Sequence, residues 1–140
     1  MTPSARSIHE LRALGFRADK TEQRLPIPGK FVTRDTFGFG DILACHHAGG
    51  ILLLQVTDRS SVNKHILKAS AELLEDEDGE RAPNPIRVNV IEWIEAGGRF
   101  EIWGWSQSGP RGETKRWRYR RVVFARDHGD LIWTDEPEIL

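Results

Sequence analysis

Ile51 to Leu54 is an unbroken run of large aliphatic residues, and the polar Gln55 follows it directly, ahead of Val56 and Thr57. An unbroken aliphatic run of this length suits a strand buried on both faces. Phe39 to Cys45 is also mostly apolar, with Asp41 near its start. The link between them, His46 to Gly50, is short and ends in two glycines free to take positive φ. The pattern predicts a hairpin of strands over 39–45 and 51–57, with Asp41 opposite Gln55 or one residue away. Gln55 and Thr57 share a face because the strand period is two.

The flanking segments read in order. Ile8, Leu11, Leu14 and Phe16 fall on a helical stripe, predicting a helix over 3–14 that Gly15 terminates. Residues 16–25 are polar and extended, an edge strand broken by Pro26, Pro28 and Gly29, and 29–37 is a loop or a weak strand. Ser60 or Ser61 caps a helix whose core stripe is Val62, Ile66, Leu67, Ala69 and Leu73, with Lys64, His65 and Lys68 on its other faces. An acidic loop spans 76–85, and 87–96 is a short helix or a strand. A second hairpin pairs 100–105 with 117–124, and Trp133 packs back from an acidic tail over 126–140. The order predicts one domain over 1–140, an α/β or α+β sheet with helices on its faces.

Composition narrows this modestly. With 39% hydrophobic and 29% charged residues the chain has the make-up of a globular protein. No apolar run nears the roughly 18 residues that cross a bilayer, so no membrane partner is expected. A single cysteine, Cys45, excludes an internal disulfide, and with no apolar leader at the N-terminus a cytoplasmic location is expected. Cys45 is expected to be a buried strand residue. His46 and His47 point to opposite faces if extended, which argues against shared zinc. The net charge of −1 conceals segregation. Residues 72–80 are acidic, whereas Lys115, Arg116, Arg118, Arg120 and Arg121 interleave with Trp117 and Tyr119, either a phosphate-tracking surface or an edge strand protected by charge.

Gln55 carries the chemistry. A buried amide without a partner costs on the order of 1–3 kcal/mol, and Asp41 and a divalent cation are its candidate partners. Hydrolysis of a phosphodiester with a metal ion requires oxygen ligands. Asp41 could supply a carboxylate, Gln55 a neutral side-chain oxygen, Val56 its carbonyl, and Glu22 or Glu10 a further carboxylate. Lys64, Lys20 or Arg59 could face the charge that develops. One Asp and one Gln are not a signature, and a purely structural role for both is the competing reading.

The pieces LRALGF, Glu22, RDTFGFGDILA and LLLQVTDRSSVNKHILKA, with GGRFEIWGW downstream, together resemble the PD-(D/E)XK nuclease superfamily over residues 8–124. The likeness is nearest to its Holliday-junction-resolvase-like and small phage-type members. It implies a restriction-endonuclease-like αβββαβ core, a mixed central sheet flanked by helices, and a DNA endonuclease using Mg²⁺ or Mn²⁺ on branched or structured DNA. By position, Asp41 matches the metal-binding aspartate, Gln55 stands where the motif has Glu or in some members Gln, and Glu22 is the further acid, with Asp35 a weaker choice. Thr57 stands where the motif has lysine, leaving the charge-stabilising role to Lys64 or Arg59. Backbone contacts to DNA fall to Lys115, Arg116, Arg118, Arg120 and Arg59, and a homodimer is implied because two strands must be cut. The rivals are a degenerate nuclease fold that only binds nucleic acid and a protein-interaction module.

Overall fold

A computed structural model describes residues 1–21 and 23–139, apart from the side chains of Gln23, Phe31 and Val32. Helix α1 (Pro3–Ala13) opens on Thr2, whose Oγ1 accepts the Ala5 N–H at 3.1 Å, with Pro3 in the first turn. It closes where Gly15 takes φ +92° and the Phe16 N–H donates to Leu11 O. Strands β1 (Arg17–Lys20), β4 (Ile42–His46), β5 (Gly50–Asp58), β8 (Arg99–Ser108), β9 (Arg116–Asp127) and β10 (Asp130–Glu136) form one sheet in that order. The pair β5/β8 is parallel and the others are antiparallel. A parallel pair needs a crossover. It runs through a 3₁₀ turn (Arg59–Ser61), helix α2 (Val62–Ser70), a two-stranded ribbon of β6 (Leu73–Glu75) and β7 (Arg81–Pro83), and helix α3 (Pro85–Glu95). A second ribbon, β2 (Gln23–Ile27) with β3 (Lys30–Arg34), stands between β1 and β4 in the chain and outside the main sheet.

Both faces of the sheet are covered, and β5 lies between the layers. Leu52, Leu54 and Val56 pack toward Leu11 of α1 with Trp103, Trp105 and Tyr119. Leu53 faces the other way, toward Val62, Ile66 and Ala69 of α2, Val90 of α3, and Phe100, Ile102 and Phe124. That alternation explains the aliphatic stretch Leu52 to Leu54, since each of these residues meets one layer or the other, whereas Ile51 at the start of the run is exposed. Gly104 lets the crossover begin so close to β8. A Cβ there would collide with the Val62 side chain and lie 3.1 Å from Arg59 Cα.

Several expectations are corrected. The edge strand predicted over 16–25 is only Arg17–Lys20, and residues 23–25 belong to the β2–β3 ribbon. Ser61 occupies the cap position of α2 but makes no capping bond. Asp58 accepts from the Ser61 N–H (3.0 Å) and the Ser60 hydroxyl (2.8 Å), capping the preceding 3₁₀ turn instead. β6 leads into the acidic loop and β7 lies within it, and the tail contains β10, which extends the sheet beyond β9. Cys45 is exposed rather than buried. The rings of His46 and His47 stack with centroids 4.4 Å apart, because the chain is already turning there.

Candidate functional site

The β4/β5 register pairs Ile42 with Leu54, so the next position outward sets Asp41 opposite Gln55. Three bonds help to hold Asp41 in this place. Its N–H donates to Leu54 O (2.9 Å), its carbonyl accepts the Thr21 N–H (2.9 Å), and its Oδ1 accepts the Val56 N–H (3.2 Å). The carboxylate thus caps the edge of β5 just before the start of β4. In an antiparallel ladder a residue's N–H and C=O point the same way, so the Val56 carbonyl lies on that edge too. Asp41 is 7% and Gln55 5% exposed, so both polar groups are held inside the fold.

Gln55 is satisfied from the loop before β4. Its NH₂ group donates to Asp35 Oδ2 (3.1 Å) and Phe39 O (2.9 Å), the orientation that its hydrogen-bond partners require. Asp35 Oδ2 also meets Lys68 Nζ of α2 at 3.4 Å, with side-chain exposures of 21% and 37%. A chain therefore runs from the Lys68 ammonium through Asp35 to the Gln55 amide on the α2 side of the sheet end. Asn84 fixes the α2 terminus that carries Lys68, donating to Lys68 O (2.8 Å) and Ala71 O (2.9 Å) while its Oδ1 accepts the Ile86 N–H. His65, one turn before Lys68, is half-buried. Burial, with the positive charge of Lys68, lowers its pKa from the ordinary 6.5 against the opposing pull of Asp35.

The anticipated residues separate clearly. Asp41, Gln55 and Val56 come together, and Asp35 joins them more closely than its rank as a weaker choice implied. Glu22 lies outside the described residues. Thr57 sits two residues along β5 from Gln55, across from Gly104 of β8. Lys64 is exposed on α2, and it is Lys68 that reaches the acidic side chain. Nothing along α2 distinguished Lys68 from Lys64, since its partner Asp35 lies 33 residues away in the chain. Among the described residues no group of three or more His, Cys, Asp or Glu forms a ready metal cage. The donor set here is carboxylate, amide and carbonyl oxygen, which suits a hard cation that keeps several waters.

The basic strand is largely committed to carboxylates. Arg118 Nε donates to Glu138 (2.9 Å), and Arg120 to Asp135 (2.6 Å) and Asn63 (3.0 Å). Arg121 makes a two-pronged pair with Glu101 (2.6 and 3.0 Å). Glu101 is fully buried and also accepts from Arg99 Nη2 and Trp103 Nε1, so all four of its bonds are internal. Strand alternation puts Glu101 on one face with Trp103, and nothing in the sequence identified its partners. Arg59 and Arg116 line a groove of about 500 Å³ with Arg118, beside Glu113 and Glu138. Lys115 bonds to Gly109 O. The Trp117 ring is covered by the Arg6 guanidinium, 3.7 Å from its centroid. No family model, curated protein or solved structure matches the chain.

Proposed function

We propose that this chain is a divalent-metal-dependent DNA endonuclease that hydrolyses phosphodiester bonds at the Asp41–Gln55 end of the sheet. The carrying observation is that Asp41, bonded to the Val56 N–H just before β4 begins, stands across from Gln55, whose amide is bonded to Asp35 and through it linked to Lys68. The element order α1-β1-β4-β5-α2-β8 supports the same reading, since it follows the αβββαβ core that the sequence resemblance implies once the two ribbons, the 3₁₀ turn and the additional crossover helix α3 are set aside. Asp41, the Gln55 oxygen and the Val56 carbonyl are the groups that would hold Mg²⁺ or Mn²⁺. Such an ion supplies Lewis acidity toward phosphate and a bound water of lowered pKa.

The chain's own residues have distinct tasks. The Gln55 NH₂ and Lys68 together hold Asp35 in place. Lys68 supplies the positive charge that Thr57 cannot, facing the negative charge that builds on phosphate. Asp41 is held in place by the Val56 N–H, which its Oδ1 accepts. A second reading, a nuclease fold that binds DNA without cutting it, is favoured by one fact: Asp35 is already neutralised by Lys68.

Cleavage of duplex, single-stranded and four-way-junction DNA in Mn²⁺ decides between them. Asp41→Ala is expected to abolish cleavage, and Lys68→Met to lower kcat about 100-fold, while Lys64→Met leaves it unchanged. No cleavage of any of the three substrates removes the catalytic reading.

A further inference from the structure

The β2–β3 ribbon is an unusual piece of this molecule. It is an antiparallel pair with Gln23↔Arg34, Leu25↔Val32 and Ile27↔Lys30 in register, and among the described residues neither strand packs substantially on any other element. Residues on alternate positions share a face, so Leu25, Ile27, Lys30 and Arg34 stand together, and all four are exposed. Residues 23–34 contain Arg24, Lys30 and Arg34 and no acidic residue, in a chain whose net charge is −1. Among the described residues neither Lys30 nor Arg34 forms an ion pair, in contrast to Arg118, Arg120 and Arg121 of β9.

The ribbon is also aimed by the site. Thr36, just past its end, donates through its hydroxyl to Thr21 O (3.0 Å), just before its start. This closes the base of the ribbon against the two residues that touch the site, since the Thr21 N–H binds Asp41 O and Asp35 binds Gln55 and Lys68. A two-stranded ribbon with backbones about 4.8 Å apart and five residues per strand reaches about 17 Å. Its width suits the B-form major groove of about 12 Å. The A-form major groove of RNA is too deep and narrow for side chains to read.

We infer that the β2–β3 ribbon is the duplex-DNA-binding arm of this protein, entering the major groove with Lys30 and Arg34 against the phosphates beside the Asp41–Gln55 site. This deepens the nuclease reading by assigning its substrate contact to the arm rather than to β9, but binding is measurable without cleavage. Lys30 and Arg34 are exposed and lie outside both core clusters, so their substitution leaves the folded body standing.

The test is affinity for a 20-base-pair DNA duplex in EDTA, over 20–300 mM salt, by fluorescence anisotropy, with a thermal melt as the folding control. Lys30→Gln with Arg34→Gln removes two phosphate contacts. The slope of log affinity against log salt is expected to become shallower by about 1.8, and affinity at 0.1 M salt to fall on the order of 50-fold. Arg118→Gln is expected to change affinity less than twofold, and double-stranded RNA to compete weakly. The inference is overturned if the parent chain does not bind duplex DNA at 20 mM salt, if the double variant binds as the parent does, if Arg118→Gln carries the loss, or if double-stranded RNA competes equally. Because cleavage is not scored, a protein that binds through the arm yet cuts nothing sinks only the catalytic reading.

Discussion

Replacing Gln55 by glutamate restores the carboxylate that the resemblance leads one to expect, and the structure says what this does without a metal. Two donor bonds, to Asp35 Oδ2 and Phe39 O, become acceptor facing acceptor at a position only 5% exposed. Each buried acceptor left unpaired costs about 1–3 kcal/mol. The new carboxyl relieves part of this by taking up a proton, since two carboxylates at this distance cannot both ionise cheaply. A net loss of about 3 kcal/mol at pH 7.5 is expected, roughly a 10 °C drop in Tm for a domain of this size. The folded pKa of the introduced carboxyl is then raised above its unfolded value. Folding takes up a proton, so the deficit grows as pH rises above about 4 and shrinks toward pH 4. If Asp41 and the side chain at position 55 hold a cation, Mn²⁺ at a hundredfold over its Kd returns about 2.7 kcal/mol. Thermal melts of parent and Gln55→Glu in EDTA and in MnCl₂ read both terms. A variant melting within 2 °C of the parent in EDTA refutes the Asp35–Gln55–Phe39 geometry, and a deficit unmoved by Mn²⁺ refutes the cation.

Two further expectations concern stability. Glu101→Leu strands the Arg121 and Arg99 guanidinium groups and the Trp103 N–H, at a cost of about 3–5 kcal/mol by urea unfolding. Adding Arg121→Met recovers part of it, and a loss below about 1 kcal/mol contradicts a structural role for the pair. The lowered pKa of His65 means that the unfolded chain binds its proton more readily than the folded one. Stability therefore falls as pH drops through about 6.5 toward the folded value. Burial, Lys68 and Lys64 drive this, against Asp35 and Asp58. Urea midpoints between pH 5 and 8 should fall less steeply on the acid side for His65→Gln, and identical profiles contradict the placement of His65.

The local pattern of the chain was enough for its local structure. Leu52 to Leu54 sit in a strand buried on both faces, Val62, Ile66 and Ala69 of the predicted stripe form the buried side of α2 while Leu67 and Leu73 are exposed, and the short glycine turn before Ile51 forces β4 and β5 into a register that brings Asp41 across from Gln55. These follow from periodicity and loop length, which act over a few residues. What lay beyond the sequence was long-range pairing. Nothing in KRWRYRR says that Arg118, Arg120 and Arg121 will be met by Glu138, Asp135 and Glu101, because those carboxylates arrive from other strands. Nor does α2 alone favour Lys68 over Lys64, since the choice depends on where Asp35 comes to rest 33 residues away. The extra strand β10 follows the same rule, for an exposed edge segment gains its order from the neighbour it pairs with. The sequence by itself determined which residues could be buried and which stretches could be strands or helices. Only the tertiary structure decided which charges were cancelled and which were left for a partner, because an ion pair is set by distances in space that periodicity along the chain does not encode.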